Sequence, residues 1–251
     1  MEIVDERFRP DGSRSRDEME AMQHEVAAAA TFADDADVGP AAVRSGEAVV
    51  AGVDQAFLDD GAVSAVVALR GGEVIARASA VTPPSIPYVP GLLSFREGEP
   101  ILAALESLEV DPDVLVLDGS GRIHFREAGI ATHVGVCFDV PTVGVAKSLL
   151  CGRPRDPVDA LSEGARVPIE ADDSMTAPDG EVVGHAYQSR QYPNSTTINP
   201  LYVSPGHRLS AAGAIDVVEA SGGEYKLPRP TRLADQFADE LKTKQIGRAH
   251  V

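Results

Sequence analysis

The sequence predicts an α/β protein with a mixed sheet flanked by helices, and three observations carry that prediction. Three short β-rich runs, AVVAGVDQAF, VSAVVALR and EVIARASA, occupy residues 48–80 with only LDDGA and GG between them, which is the spacing of antiparallel hairpins. From Asp113 to Lys147 the chain reads DVLVLDGSGRIHFREAGIATHVGVCFDVPTVGVAK. One apolar run, 114–117, ends in Asp118 and a Gly-Ser-Gly turn; Ile130, Val134 and Cys137 recur at helical spacing; Pro141 then opens a second apolar run that ends in Lys147. A right-handed crossover makes these two strands parallel, with Asp118 and Lys147 at the same end of the sheet. Third, 251 residues, 43% hydrophobic and with Pro and Gly scattered throughout, suit one large domain with a sizeable core.

Residues 1–45 read as an N-terminal helical arm, with a helix over 16–32 and the acidic turn DDADVGP behind it. After the three hairpin strands, Pro83, Pro84, Pro87 and Pro90 stiffen a loop that presents Tyr88. Ile101, Leu105 and Leu108 mark the next helix, with Pro100 in its first turn and Glu97 at its entrance. Residues 152–195 are polar and Pro-rich, and only GEVVGHAYQSR has the pattern of a strand. Val217 and Val218, then Leu233, Phe237 and Leu241, suggest two closing helices. Residues 46–244 thus form the main domain, and QIGRAHV at 245–251, which neither completes nor caps a helix face, reads as a non-native tail. Three antiparallel strands followed by helix, strand, helix and strand is the ribonuclease H-like order.

The formal charge of −17 argues against a nucleic-acid partner, because phosphate binding normally comes with a basic face. Yet only four of the 22 basic residues are Lys, and the acids are spread along the chain. That pattern suits a halophilic protein, since at molar salt repulsion is screened within roughly 3 Å. Affinity for a polyanion then has to come from metal bridges, a base pocket and stacking. No apolar run reaches the roughly 18 residues of a membrane helix, and the charged start excludes a signal peptide. A cytoplasmic monomer without a membrane partner is expected. Cys137 and Cys151 form no CxxC pair and read as buried thiols.

Asp54 follows AVVAGV and Asp118 follows VLVL, each an acid where an apolar strand is buried. A lone strand Asp equally suits a turn cap or an arginine pair. Two of them with Glu97 make a hard oxygen site, suited to Mg²⁺ or Mn²⁺ and not to zinc, because neighbouring carboxylates raise one another's pKa unless a cation intervenes.

The stretch 113–147 resembles the endonuclease V family of deoxyinosine 3′-endonucleases. VAGVDQAF at 50–57, PYVPGLLSFREGEP at 87–100, YVSPGHR at 202–208 and LPRPTRLAD at 227–235 are similar to that family in the same order. The resemblance implies the ribonuclease H-like fold and a Mg²⁺-dependent nick at the second phosphodiester bond 3′ to deoxyinosine in DNA, with Mn²⁺ able to substitute. Inosine-containing RNA is the alternative substrate, and a non-cutting inosine-binding module is the rival from another class. Asp54, Glu97 and Asp118 are implied to hold the metal, with His207 beside it. Lys147 and His124 are expected at the phosphate, although a strand-end Lys also suits solvent and a loop His suits a local hydrogen bond. Tyr88, held by Pro87, Val89 and Pro90, resembles the family's wedge, which replaces the stacking of an extruded base; a Pro-Tyr-Pro core corner is the plainer reading. Gly119, Gly121 and Gly129 are expected to line the base pocket through backbone groups, refusing adenine by an unpaired donor contact worth roughly 1 to 3 kcal/mol. Ser120, Phe125 and Arg229 depart from the family's usual Asn, Pro and Glu, and none of them removes a metal ligand.

Overall fold

A computed structural model describes residues 1–58, 61–83, 87, 89–192 and 198–249. Tyr88, the expected wedge, lies outside them. The hairpin reading holds: β1 (Val49–Phe57), β2 (Ala62–Arg70) and β3 (Glu73–Thr82) form an antiparallel meander. The strand-helix-strand unit is β4 (Val114–Asp118), α4 (Ile130–Phe138) and β5 (Thr142–Ala146), with β4 parallel to both β1 and β5.

Beyond β5 the sheet grows through a stretch of polar, Pro-rich sequence. Strands β6 (Arg153–Pro154), β7 (Arg166–Glu170), β8 (Val182–Tyr187) and β9 (Leu201–His207) complete a nine-stranded sheet, of order β3-β2-β1-β4-β5-β9-β8-β7-β6, among the described residues. The segment SPGH, whose Pro-Gly pair by itself reads as a turn, continues β9 through Pro205, with Gly206 bulged between the Val143–Pro205 and Thr142–His207 pairs. A bulge admits proline because it interrupts the hydrogen-bond ladder.

Helices cover both faces. Helices α1 (Arg16–Ala29), α3 (Leu93–Glu106) and α4 pack on one side, where Met19, Met22, Val26, Phe95, Leu102 and Leu117 share a core. Met19, Met22, Gln23 and Val26 make one buried stripe on α1, and a capping box of Ser15 and Glu18 starts the helix. The helix of the N-terminal arm thus packs on the main core. Pro100 is inside α3 rather than in its first turn, because the helix begins seven residues earlier, at Leu93, and Glu97 stands in its second turn.

Helices α2 (Pro40–Ser45), α5 (Ala211–Ala220) and α6 (Arg229–Ala249) lie on the other face. On α6 the buried stripe is Thr231, Ala234 and Ala238, whereas the larger Leu233 and Phe237 are only half-buried. Small side chains win this face because α6 lies so close to the sheet. A Cβ at Gly52 on β1 would fall 2.1 Å from the Pro230 carbonyl. Leu233 and Phe237 instead flank satellite clusters with Val67 and Ala65. Both cysteines are free and buried, as expected.

Candidate active site at the ends of the parallel strands

The parallel register brings the two strand acids together. Val53 on β1 pairs with Leu117 on β4, so Asp54 and Asp118 follow side by side, on strands about 4.8 Å apart. Side-chain alternation sends both toward the face carrying α6. Asp54, 9% exposed, has its pKa pushed up to about 8, first by burial and then by the fields of Asp118 and Asp235. The Gln55 backbone N–H, which donates to Oδ1 at 2.8 Å, and the more distant charge of Lys147 compensate in part.

Asp235, the last residue of LPRPTRLAD, is a further carboxylate to which the sequence alone assigns no role. It stands on α6 with Thr231, Ala234 and Ala238, at the i, i+3, i+4, i+7 spacing of one helix face. An acid set into a stripe of small buried residues was the available signal. The missing Cβ of Gly52 lets α6 approach closely enough for Asp235 to act on Asp54 and on Lys147.

Glu97 reaches the same strand ends from α3, on the opposite face. Burial raises its pKa to about 7, Asp118 adds to the rise and the Arg96 guanidinium works against it. Gln55 ties α3 to β1 here, its Nε2 donating to the Glu97 carbonyl at 2.7 Å and to Ser64 Oγ at 2.6 Å.

Lys147, just past β5, donates from Nζ to Asp118 Oδ2 at 2.7 Å. Partial burial works against its charge, but the bond to Asp118 and the fields of Asp118, Asp54 and Asp235 prevail and lift its pKa above the ordinary value. It is the direct cationic partner of this acid group, and it is exposed enough to meet a phosphate as well.

The donor set suits a hard divalent cation: these are carboxylate oxygens, and Asp54 and Glu97 hold their protons above the usual range unless positive charge arrives. Among the described residues, no three Asp, Glu, His or Cys side chains already surround a common point. Sharing one ion would require the acids to turn inward and Asp118 to release Lys147.

Two expected members are elsewhere. His207 pairs in register with Thr142, at the opposite end of β5 from Lys147, five residues or about 16 Å away. Its Nδ1 accepts from the Thr31 N–H at 3.1 Å and its Nε2 donates to Asp139 Oδ1 at 3.0 Å. SPGH is strand rather than turn, so the ring is carried past the acids and into a structural pair. His124 has its pKa lowered by burial to about 4 and is neutral; Nε2 donates to the Gly91 carbonyl at 3.1 Å while Nδ1 accepts the Arg126 N–H at 3.1 Å. Both ring nitrogens are engaged, which leaves none for a phosphate.

The three pocket glycines are committed too. Gly119 donates its N–H to the Val145 carbonyl, Gly121 to Ser204 Oγ and Gly129 to the Gly121 carbonyl, at 2.9 to 3.1 Å. A Cβ at Gly121 would strike the Pro205 carbonyl at 2.3 Å, and one at Gly129 the Ser120 carbonyl at 2.3 Å. Their smallness serves tight packing of the loop behind Asp118, not free donors for a base edge.

A mixed sheet that carries acids and a lysine at the ends of its central parallel strands is the layout of a ribonuclease H-like nuclease. The family model described as Endonuclease V matches residues 35–236. The Endonuclease V of Natronomonas pharaonis, a haloarchaeon, is 70% identical over 244 residues, covering 97% of this chain and 98% of that one. The Bacillus subtilis Endonuclease V crystal structure superimposes with a TM-score of 0.82 at 26% identity, covering 99% of this chain and 100% of the other. The Ciona intestinalis Endonuclease V, solved with a 24mer DNA containing an inosine followed by a ribo-adenosine, gives 0.73 at 26% identity, covering 91% and 98%.

This chain belongs to the endonuclease V family. It is an endonuclease acting on DNA, a hydrolase, and the family is metal-dependent. No helix among the described residues is long and apolar enough to cross a membrane.

Proposed function

We propose that the chain is a Mg²⁺-dependent deoxyinosine 3′-endonuclease that nicks the second phosphodiester bond on the 3′ side of deoxyinosine, as a first step in repairing deaminated adenine. The pairing of Asp54 with Asp118, beside Lys147, carries this reading. Asp54, Asp118, Glu97 and Asp235 would hold the ion, and Mn²⁺ would substitute because the donors are hard oxygens. Bound there, a divalent ion supplies Lewis-acid stabilisation of the scissile phosphate and a lowered pKa for the attacking water. Lys147 turns from Asp118 to a phosphate oxygen and holds the scissile group against the strand ends. Carboxylates raised to about 7 and about 8 repel a polyanion least when protonated or neutralised, so this cluster accepts DNA only together with its cation.

Tyr88, between Pro87 and Pro90, serves as the wedge that fills the stack when the damaged base leaves it. Gly119, Gly121 and Gly129 shape the loop behind Asp118 and so bound the base slot. The protein acts as a cytoplasmic monomer, and the acidic surface adapts it to a salty interior. A second reading, cleavage of inosine-containing RNA, is favoured by the ribo-adenosine beside inosine in the Ciona complex. Matched inosine DNA and RNA strands, incubated with Mg²⁺ or with EDTA and mapped to the nucleotide, separate the two. DNA nicked one nucleotide beyond inosine only when Mg²⁺ is present supports the proposal. Faster cutting of RNA, or cutting in EDTA, overturns it.

A further inference from the structure

Four hydrogen bonds meet at the stem of the proline-rich loop. Gly91 closes that loop with a φ of +81°, and its carbonyl oxygen takes two donors, Gln23 Nε2 at 2.7 Å and His124 Nε2 at 3.1 Å. Gln23 Oε1 accepts from Arg126 Nη1 at 3.1 Å, and the Arg126 backbone N–H donates to His124 Nδ1 at 3.1 Å. Arg126 Nη2 also pairs with Glu20 at 2.7 Å, one turn before Gln23 on α1. Gln23 is 0% and His124 3% exposed, so this is a closed polar network inside an apolar core.

Leucine at position 23 would fill much of the same space without desolvating an amide. What the amide adds is direction: two donors fix the Gly91 carbonyl, and with it the exit of the loop. Val89 packs against the same core and its carbonyl accepts the Leu92 N–H at 3.0 Å. Residues 89, 91 and 92 are thereby held immediately after position 88. Gln23 precedes the residues that the family model matches.

We infer that Gln23 and His124 are positioning residues for opening the duplex: they clamp the stem of the wedge loop to α1 and to the loop after β4, so that the residue at 88 enters the stack at a fixed depth. The inference rests on the wedge role proposed for Tyr88. A duplex substrate needs that depth, whereas a single strand, with no partner strand to displace, does not. Loss of the clamp therefore penalises duplex DNA selectively.

The test compares kcat/KM on one inosine oligonucleotide, single-stranded and annealed, for the wild type and for Gln23→Ala, Gln23→Glu and Tyr88→Ala. Gln23→Glu keeps the acceptor for Arg126 and removes the donor to Gly91, which separates the clamp from general packing of α1. Both Gln23 variants are expected to lower the duplex to single-strand ratio by about ten-fold or more, as misplacement of a remote support does. Each ratio comes from one preparation, so a reduced folded fraction cancels. A wild-type ratio in both Gln23 variants, with Tyr88→Ala depressed, overturns the clamp and leaves the wedge standing. A wild-type ratio in Tyr88→Ala removes the wedge and the clamp together, and a wild type that leaves inosine DNA intact removes the proposed function itself.

Discussion

The two ends of the β4–β5 pair are built from similar residues and reach opposite electrostatic outcomes. At the far end, His207 is saturated: Thr31 donates to one nitrogen, Asp139 accepts from the other, and Arg208 covers Asp139. At the near end, Asp54, Asp118, Asp235 and Glu97 crowd together, and the charges of Lys147 beside Asp118 and of Arg96 near Glu97 leave Asp54 and Glu97 raised. Buried polar groups that complete their pairing are structural, and those that leave charge unbalanced are kept for a ligand. A histidine in a motif is not thereby a site residue, and an acid without a partner is the stronger sign.

The largest effect should come from the unbalanced end. Asp118→Asn keeps the shape of the strand end and removes its charge, so nicking is expected to fall about 10³-fold, the size of several kcal/mol of lost transition-state stabilisation. Steady-state assays in Mg²⁺ measure this, and a variant with near wild-type rate would break the contrast between the two ends.

A middle effect concerns pH without metal. Asp54 and Glu97 titrate from ordinary values of 3.8 and 4.5, but in the folded protein from about 8 and about 7. Raised acids contribute stability that is complete below the ordinary values and is lost as pH climbs through the folded ones. Thermal stability in EDTA should therefore fall between about pH 4 and pH 8, and Asp54→Asn should flatten that decline. Equal slopes for the two proteins would contradict the crowding of acids.

The smallest catalytic effect belongs to the balanced end. His207→Ala strands the Thr31 N–H and should cost about 1 to 3 kcal/mol of stability in chemical denaturation, with the nicking rate of the folded protein unchanged. A large rate loss in a well-folded variant would return His207 to the site. Salt sharpens the picture further: with a charge of −17, folding should strengthen from dilute buffer to molar KCl, and an optimum at low ionic strength would contradict the reading of the surface.

Much of this was legible in the sequence, for identifiable reasons. The hairpins and the β4-α4-β5 unit follow from period and turn chemistry, and parallel pairing then forces Asp54 beside Asp118 and Lys147 onto Asp118. β6 and β7 were not legible, because short polar strands at a sheet edge carry little apolar pattern, whereas β8 falls inside GEVVGHAYQSR. Asp235 was hidden because the buried stripe of α6 is made of small residues and the eye follows Leu233 and Phe237. His207 is misplaced by the sequence because a proline inside SPGH reads as a turn, although a bulge at Gly206 lets β9 run on past it. His124 looked available until Gly91 and Arg126 were seen to occupy both of its nitrogens.

Calorimetric titration of Mn²⁺ into the wild type, Asp54→Asn and His207→Gln, without DNA, tests the contrast most directly. Binding that survives in His207→Gln and disappears in Asp54→Asn is the result expected from acids that converge on one cation. Binding retained by Asp54→Asn, or lost with His207→Gln in a folded protein, would contradict it.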